Sequence, residues 1–295
     1  MQYPGFISGS YELQSPIADL ERTVNWYPEQ IASPAVPWGA ALFPTPGQDE
    51  FLTVGTVNTR ALFSMAGRVH GVVGGTLYEI FAGATATSRG TMLQDPNPAS
   101  IASNGDAGGE LLIASGTNGY LLNLTTNGLS TVLTGDCVQA GMLDGYFLAF
   151  NTATSKFRIS ALNDGTTWDA TQYAQRSIAP DPWRAMVVDG SRQIWLIGEQ
   201  TGEVWYDSGA SPFPFEPVPG AVFGYGTPAP WTVKLVGSMM CWLSETADGA
   251  GIVVGAQGLV PQRISTNAVE TAIAGYIRTA KITDAEALVY EMEGH

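Results

Sequence analysis

The sequence contains very few of the side chains that enzymes most often use for catalysis or metal binding. In 295 residues, histidine occurs only at His70 and His295, and cysteine only at Cys137 and Cys241. A Ser-His-Asp or Cys-His arrangement would need one of these histidines, and neither lies in a nucleophile motif. Two cysteines and two histidines without local clustering also argue against a zinc site. We therefore expect no catalytic residue, metal or cofactor, buried free thiols at both cysteines, and a packed strand position for His70.

Basic residues are also scarce, with 13 Lys and Arg against 27 Asp and Glu, a net charge of −14 at pH 7. A surface this acidic repels phosphate, so nucleic acid is not expected to be gripped through its backbone. The same repulsion would let DNA slide along an acidic wall. The first basic residue is Arg22, and the uncharged stretch 217–233 contains four prolines, so neither a signal peptide nor a membrane span is expected.

Glycine and proline, in contrast, are abundant, with 35 and 18 residues. This composition is typical of a fold with many tight turns, and it excludes long helical bundles and coiled coils. Residues 1–55 have many prolines and few alternating apolar runs, which predicts an extended or irregular N-terminal arm. The apolar residues Trp26, Tyr27, Trp38 and Phe43 favour an arm that lies along its own domain or a neighbouring subunit.

Residues 56–295 show a different, repeated pattern of short apolar runs that end in glycine turns. Runs of four to eight residues, rich in Val, Ile, Leu and aromatic residues and bounded by NG, DG, TG or GG, are typical of antiparallel hairpins. Turn glycines recur at Gly145, Gly190, Gly237 and Gly294, which gives a unit of roughly 40–50 residues. The sequence thus predicts an all-β fold, a β-propeller of four-stranded antiparallel blades. We expect five blades and an incomplete last blade that starts at Ala287.

One short helix is predicted near the end of the chain. Asn267 is a capping residue with Glu270 three positions later, and Ala268, Val269 and Ile273 follow helical spacing. We expect this helix to lie between blades.

The aromatic residues of the repeat region have two readings. They could line a sugar-binding groove, but core packing is the default for large aromatic residues in strands. The set comprises Trp183, Trp195, Trp205, Tyr206, Phe213, Phe215, Trp231 and Trp242. The segment Ser211–Trp231 carries six prolines and fits either a contact surface or an inter-blade connection packed on its own domain.

The stretch ALNDGTTW (161–168) resembles the Asp-box of sialidases, S-x-D-x-G-x-T-W. Gly165, Thr167 and Trp168 match that motif, whereas Ala161 and Asn163 replace its Ser and Asp. In that family the box is a hairpin turn distant from the catalytic centre. We therefore expect a structural turn, with Trp168 packed between strands.

Several stretches together resemble the phage packaged-DNA stabilisation proteins, which form the tail hub or nozzle of short-tailed phages. The resemblance spans most of the chain in the same order. Its stretches are RTVNWYPE (22–29), LFPTPG (42–47), LNDGTTWDA (162–170), residues 179–230 and GLVPQRISTNAVETAI (258–273).

The resemblance implies a structural virion protein without enzymatic activity or cofactors. It implies a β-propeller assembled as a ring, a hexamer, in the virion tail, after synthesis in the host cytoplasm. The ring would lie below the portal and head–tail adaptor and above the tail needle or tip, with tail fibre or spike proteins as further partners. It would retain the packaged DNA and form the channel for its ejection, with DNA only as non-specific cargo and no membrane contact. Candidate subunit contacts are Trp26, Tyr27, Phe43, Phe213, Phe215, Phe223, Tyr225 and Trp231.

Two other functions are compatible with a propeller. The first is a carbohydrate-binding or glycosidase-type propeller on the tail, although the ten scattered arginines form no recognisable cluster for a sugar carboxylate. The second is an adaptor propeller in the cytoplasm, which the low content of charged residues, 14%, disfavours.

Overall fold

A computed structural model describes residues 11–12, 20–21, 26–30, 40–45, 47, 49–176, 178–277 and 282–289. Within these ranges the chain forms five four-stranded antiparallel sheets, and strands adjacent in sequence are neighbours in each sheet. The predicted β-propeller architecture, with each sheet as one blade, is confirmed. A closed ring of blades is not detected among the described residues, and we refer to the five blades together as the fan.

Two short strand pairs precede the blades, and two helices accompany them. The pairs are β1 (Tyr11–Glu12) with β2 (Leu20–Glu21), and β3 (Trp26–Gln30) with β4 (Ala40–Pro44). Blade one comprises β5 (Thr59–Met65), β6 (Arg68–Val73), β7 (Thr76–Phe81) and β8 (Thr85–Thr91). Blade two comprises β9 (Ser100–Ser103), β10 (Glu110–Ser115), β11 (Asn118–Asn123) and β12 (Leu129–Leu133), with the short helix α1 (Gly105–Gly108) after β9.

The remaining three blades follow the same order along the chain. Blade three comprises β13 (Gln139–Leu143), β14 (Tyr146–Asn151), β15 (Lys156–Ile159) and β16 (Tyr173–Gln175). Blade four comprises β17 (Trp183–Val188), β18 (Gln193–Gly198), β19 (Gly202–Asp207) and β20 (Phe215–Phe223). Blade five comprises β21 (Lys234–Val236), β22 (Met239–Glu245), β23 (Gly251–Gln257) and β24 (Val260–Arg263), preceded by a 3-10 turn (Pro230–Thr232) and followed by α2 (Asn267–Ile277).

The glycine turns make these hairpins possible. Between β13 and β14, Asp144 has φ +53° and Gly145 has φ +86°. Two successive positive φ angles are the geometry of a type I′ turn, which matches the twist of antiparallel strands and favours Asp-Gly.

Adjacent blades pack face to face through apolar clusters, and most of the tryptophans lie there. Between blades three and four, the Trp205 ring lies 5.6 Å from Phe157 and 6.2 Å from Trp183 between ring centroids. Trp195 and Trp242 form a similar contact between blades four and five, 6.4 Å apart. These four tryptophans are at most 9% exposed, which confirms that they belong to the core.

The proline-rich segment Ser211–Trp231 was predicted to be either a contact surface or an inter-blade connection packed on its own domain. Its last part connects blades four and five as the second alternative predicts, but the segment also contains a strand that was not predicted. Its middle part is β20, the fourth strand of blade four, which pairs with β19. Pro217 and Pro219 lie in this strand because β20 is an edge strand, where a missing N–H is tolerated. The register shifts between Glu203 and Trp205 opposite these prolines.

The two outer faces of the fan differ. Helix α2 covers the face of blade five that points away from blade four. Ile273 of α2 lies so close to Gly251 of β23 that a side chain at position 251 would collide with it. The predicted helix is formed, but its predicted position between blades is wrong for the described residues, where α2 packs on the outer face of blade five. The corresponding face of blade one is partly open, and Leu62 on it is 67% exposed. The predicted sixth-blade strand at Ala287 is not formed over residues 282–289, and residues 290–295 lie outside the described residues.

The predictions for cysteine and histidine agree with the structure, with one difference. Both cysteines are free, and Cys137 is buried, which raises the pKa of its thiol, but Cys241 is only half-buried. His70 lies on β6 opposite Phe63, a residue of the cluster between blades one and two. The imidazole is fully buried, as expected for a packed strand residue.

The Asp-box-like turn is a structural element, as predicted. The Trp168 indole N–H donates to the Gly165 carbonyl at 2.8 Å, and Trp168 packs against the cluster around Phe147. The Gly165 amide donates to Oε2 of Glu110 on β10, at 2.9 Å. Glu110 also accepts a bond from the Asn104 side-chain amide, so this buried carboxylate joins blades two and three.

We expect Glu110→Ala to lower the free energy of unfolding by about 1–3 kcal/mol, because it leaves buried amide donors of Gly165 and Asn104 without an acceptor. Urea denaturation followed by circular dichroism measures the change. Glu216→Ala, at an exposed position of β20, is the matched control and should leave stability unchanged. Equal effects of the two substitutions would contradict this role of Glu110.

Candidate functional site

The first strands of all five blades converge on one axial cavity of about 450 Å³. Each blade contributes at least one apolar residue to its wall. These residues include Phe63, Ile101, Met142, Val187 and Leu235. The propeller axis is therefore lined mainly by apolar and small side chains.

Lys234 is the one ionisable side chain among the residues that line this cavity in the described part of the chain. Burial lowers its pKa, and the nearby Glu286 carboxylate opposes that shift. Glu286 is not among the residues that line the cavity, so Lys234 is the one charged group that the wall itself presents.

The cavity is also far too small for double-stranded DNA. Its volume falls in the range of small-molecule pockets, ~300–1,000 Å³. A cube of that volume is roughly 8 Å on a side, whereas the major groove of B-DNA alone is ~12 Å wide. This cavity therefore cannot hold a duplex.

The two ends of the fan differ in charge. An antiparallel meander places its turns alternately at opposite ends, so each end carries a different set of turns and charged residues. The connection end carries the links between blades and the turns between second and third strands. Its carboxylates are largely neutralised by arginines. The pairs are Arg60–Asp95, Arg158–Asp136, Arg176–Asp181 and Arg184–Glu199.

The hairpin end carries the other turns, and its carboxylates mostly accept bonds from the turn backbone. Oδ1 atoms of Asp164, Asp189 and Asp207 each accept a backbone N–H two residues later, at 2.8 Å. Among the aspartates of these turns in the described residues, Asp144 forms an ion pair with Arg192, which also acts on Asp207 at longer range. Bonds from the Thr166 hydroxyl and amide lower the pKa of Asp164, so its charge persists in mild acid. The hairpin end is thus the more negative one.

The predicted contact residues of the arm lie on β3 and β4. Trp26 is 50% exposed and Phe43 is 42% exposed. Tyr27 is the register partner of Phe43, and Trp38 lies outside the described residues. The structure thus brings Tyr27 and Phe43 opposite each other on one strand pair.

The other five predicted contact residues pack within the fan. Phe213 and Phe215 lie 5.8 Å apart in the cluster between blades three and four. Phe223 and Tyr225 pack between blades four and five, and Trp231 lines the axial cavity. Packing in this chain accounts for all five, and their role in subunit contacts stays a prediction.

Sequence reasoning missed the buried charged residues, of which Glu79 is the clearest. Its carboxylate accepts two bonds from Arg68, at 2.7 and 2.8 Å, and one from Nε of Arg89 at 2.8 Å. Arg68 also donates to the Leu124 carbonyl of blade two, at 2.7 Å. The signal was present in the run TLYEIF, where Glu79 has the parity of the inward-facing Leu77.

No group of three or more potential metal ligands occurs among the described residues. The helices within those ranges are too short or too polar to cross a bilayer.

Comparison with models of protein families supports the propeller fold. The family model described as bacteriophage P22 Gp10, beta-propeller, matches residues 32–295. No curated protein matches the chain. Similar solved structures include PorZ of the type-IX secretion system of Porphyromonas gingivalis, with 15% identity and a TM-score of 0.45 over 73% of this chain. They also include the Neurospora crassa Pan2 WD40 domain, with 13% identity and a TM-score of 0.43 over 70% of this chain.

This chain spans 29% of the PorZ chain and 65% of the Pan2 chain. A streptogramin B lyase has 12% identity and a TM-score of 0.48, over 83% of this chain and 78% of the lyase chain. Such distant likenesses carry no argument about activity. The family match is of another kind, because it covers nearly the whole chain and describes the fold that the structure has. This chain belongs to the phage stabilisation family, a family of phage structural proteins represented by the β-propeller protein Gp10 of bacteriophage P22.

Proposed function

We propose that this protein is a subunit of the tail hub or nozzle, in a ring that retains the packaged genome and forms its ejection channel. Membership of a family of phage structural proteins supports the role in the virion. In this proposal six copies form the ring, below the portal and head–tail adaptor and above the tail needle or tip. Tail fibre or spike proteins bind nearby, and the chain is made in the host cytoplasm before it enters the tail.

The structural observation that carries the proposal is the axial cavity. It is too small for duplex DNA, and Lys234 is the one charged residue of its wall in the described part of the chain. In this proposal the ejection channel lies between copies rather than through the axial cavity of one of them.

The unequal charge of the two ends supports an orientation within such a ring. Asp164, Asp189 and Asp207 of the hairpin end accept bonds from backbone amides, whereas carboxylates of the connection end form ion pairs with arginines. A surface that repels phosphate lets DNA slide without counterion release or tight binding. We propose that the hairpin end borders the lumen.

A carbohydrate-binding function has weaker support. The large aromatic side chains that would form a sugar platform, Trp183, Trp195 and Trp205, are buried between blades. The Asp-box-like turn is held by Glu110 and Trp168 and faces a neighbouring blade.

The test is assembly of the purified protein with its head–tail adaptor. We expect multi-angle light scattering to give the mass of a closed oligomer and electron microscopy to show rings with a central opening. Duplex DNA added to the purified ring should not bind tightly to it, even at low ionic strength. A protein that stays monomeric in the presence of the adaptor, or that cleaves a glycan, would contradict the proposal.

A further inference from the structure

Two polar side chains in the wall of the axial cavity are already used to join neighbouring blades. Oγ of Ser100 accepts the Ala140 amide at 2.7 Å, which links blades two and three. Oε1 of Gln139 accepts the Met186 amide at 2.7 Å, which links blades three and four. Both oxygens thus stabilise the wall itself.

Lys234 differs from these groups, because its ammonium has no bonded partner in the described part of the chain. Nζ of Lys234 forms no hydrogen bond and no ion pair with the described residues. Glu286 acts on it only at longer range, and burial lowers the pKa of the amine. A cation that loses hydration without gaining a bonded partner is unfavourable, and an anion at Nζ would supply that partner.

The cavity is also a local exception on a strongly acidic protein. The chain has 27 acidic and 13 basic residues, yet no Asp or Glu of the described residues lines this cavity. An anion inside it would therefore meet one attractive charge and no repelling carboxylate in the wall. Because the net charge of −14 repels anions from the protein as a whole, such a place has to be local.

The rest of the wall selects for an apolar ligand body. Ile101, Val187 and Leu235 line it from three different blades, together with Met142 and Met186. Methionine side chains are flexible and adapt to apolar ligands of different shape. A sugar or a nucleotide would leave several hydroxyl or phosphate oxygens without partners against such a wall. The volume of about 450 Å³ lies in the range for small molecules.

We propose that the axial cavity binds a small amphipathic carboxylate. The carboxylate of this ligand lies beside Nζ of Lys234, and its hydrocarbon chain lies along the first strands of the blades. Each copy of the protein carries this site by itself, so the inference does not depend on the proposed ring.

The first test is isothermal titration calorimetry with octanoate, and with octanol as a neutral ligand of equal chain length. We expect the protein to bind octanoate at least about tenfold more tightly, because the ammonium forms a charge-assisted bond with the carboxylate. Lys234→Met should abolish this preference, whereas Lys234→Arg, which keeps the charge, should retain it. Lys156→Met is the matched control, since Lys156 lies outside the cavity with Nζ 4.3 Å from the centroid of the Tyr173 ring.

Absence of octanoate binding at millimolar concentration would overturn the proposal. So would equal affinities of the wild-type protein for octanoate and octanol, or an equal loss of affinity in Lys156→Met and Lys234→Met. The comparison of the two ligands uses the wild-type protein and therefore stays decisive if a variant does not fold.

The second test locates the ligand by NMR of protein labelled with [methyl-¹³C]methionine. Octanoate should shift the methyl resonances of Met142 and Met186, which line the cavity. The resonance of Met92, which is buried in the cluster between blades one and two, should not move. Substitution of each methionine by leucine assigns its resonance. Shifts confined to other methionines would place the ligand elsewhere and contradict the proposal.

Discussion

Trp183→Ala is expected to lower the free energy of unfolding by about 3–5 kcal/mol, among the largest effects for a single substitution here. Trp183 is fully buried on the first strand of blade four. Its ring lies 6.2 Å from Phe157 and from Trp205, in the cluster that holds blades three and four together. Alanine would leave a large cavity between two rigid sheets, which cannot approach each other without losing their own register.

Guanidinium denaturation followed by far-ultraviolet circular dichroism measures this loss. Trp26→Ala removes the same kind of side chain from a half-exposed position of the arm and should lower the free energy of unfolding far less. If both substitutions shift the midpoint equally, the cluster does not hold the blades together as described. If Trp183→Ala fails to fold, Trp183→Phe, which leaves a smaller cavity, should fold with reduced stability.

Acid is expected to destabilise the contact between blades one and two in two stages. The first involves His70, whose pKa is lowered chiefly by burial and also by Arg68 and Arg89, with Glu79 opposing. The unfolded chain therefore takes up this proton more readily, and stability falls as the pH drops through about 6.5. The second involves Glu79, whose pKa is lowered to about 2, chiefly by bonds from Arg68. Its contribution is complete above about 4.5 and is lost as the pH falls towards 2.

Glu79→Gln separates the two stages. A shift of the carboxyl pKa from 4.5 to about 2 corresponds to roughly 3 kcal/mol at neutral pH, which this substitution should remove together with the lower stage. The stage near pH 6.5 should remain. Urea denaturation at a series of pH values measures both. Glu199→Gln, in the half-exposed pair with Arg184, is the control and should cost at most about 1 kcal/mol. A Glu79→Gln protein that still loses stability between pH 4.5 and 2 would contradict the assignment.

The repeat was predictable because each hairpin carries its own local signal. Asp144-Gly145 specifies its turn, and Asn267 with Glu270 predicts the start of α2 without tertiary information. The strand β20 was hidden, because Pro217 and Pro219 are typical of a connection, and only the position at a sheet edge makes them compatible with a strand.

The polar contacts between blades were harder to predict. That Glu110 meets Gly165, 55 residues away, depends on how two complete sheets pack. Alternation indicates that a charged residue such as Glu79 points inward, but it does not say which arginines approach it. The partly open face of blade one was also missed, since sequence patterns show that a face is apolar but not whether another sheet covers it.

The outer edge of strand β20 is interrupted by prolines and a glycine, and this affects whether the protein aggregates at high concentration. A straight unpaired strand would be a template for the same strand of another molecule, and such pairing leads to aggregation. Here Pro217 and Pro219 remove backbone donors, and Gly220, with φ +78°, turns the chain between them and Val222. A second strand cannot add along this edge in register. Unassembled subunits can therefore accumulate without aggregating through strand pairing at the outer edge of blade four.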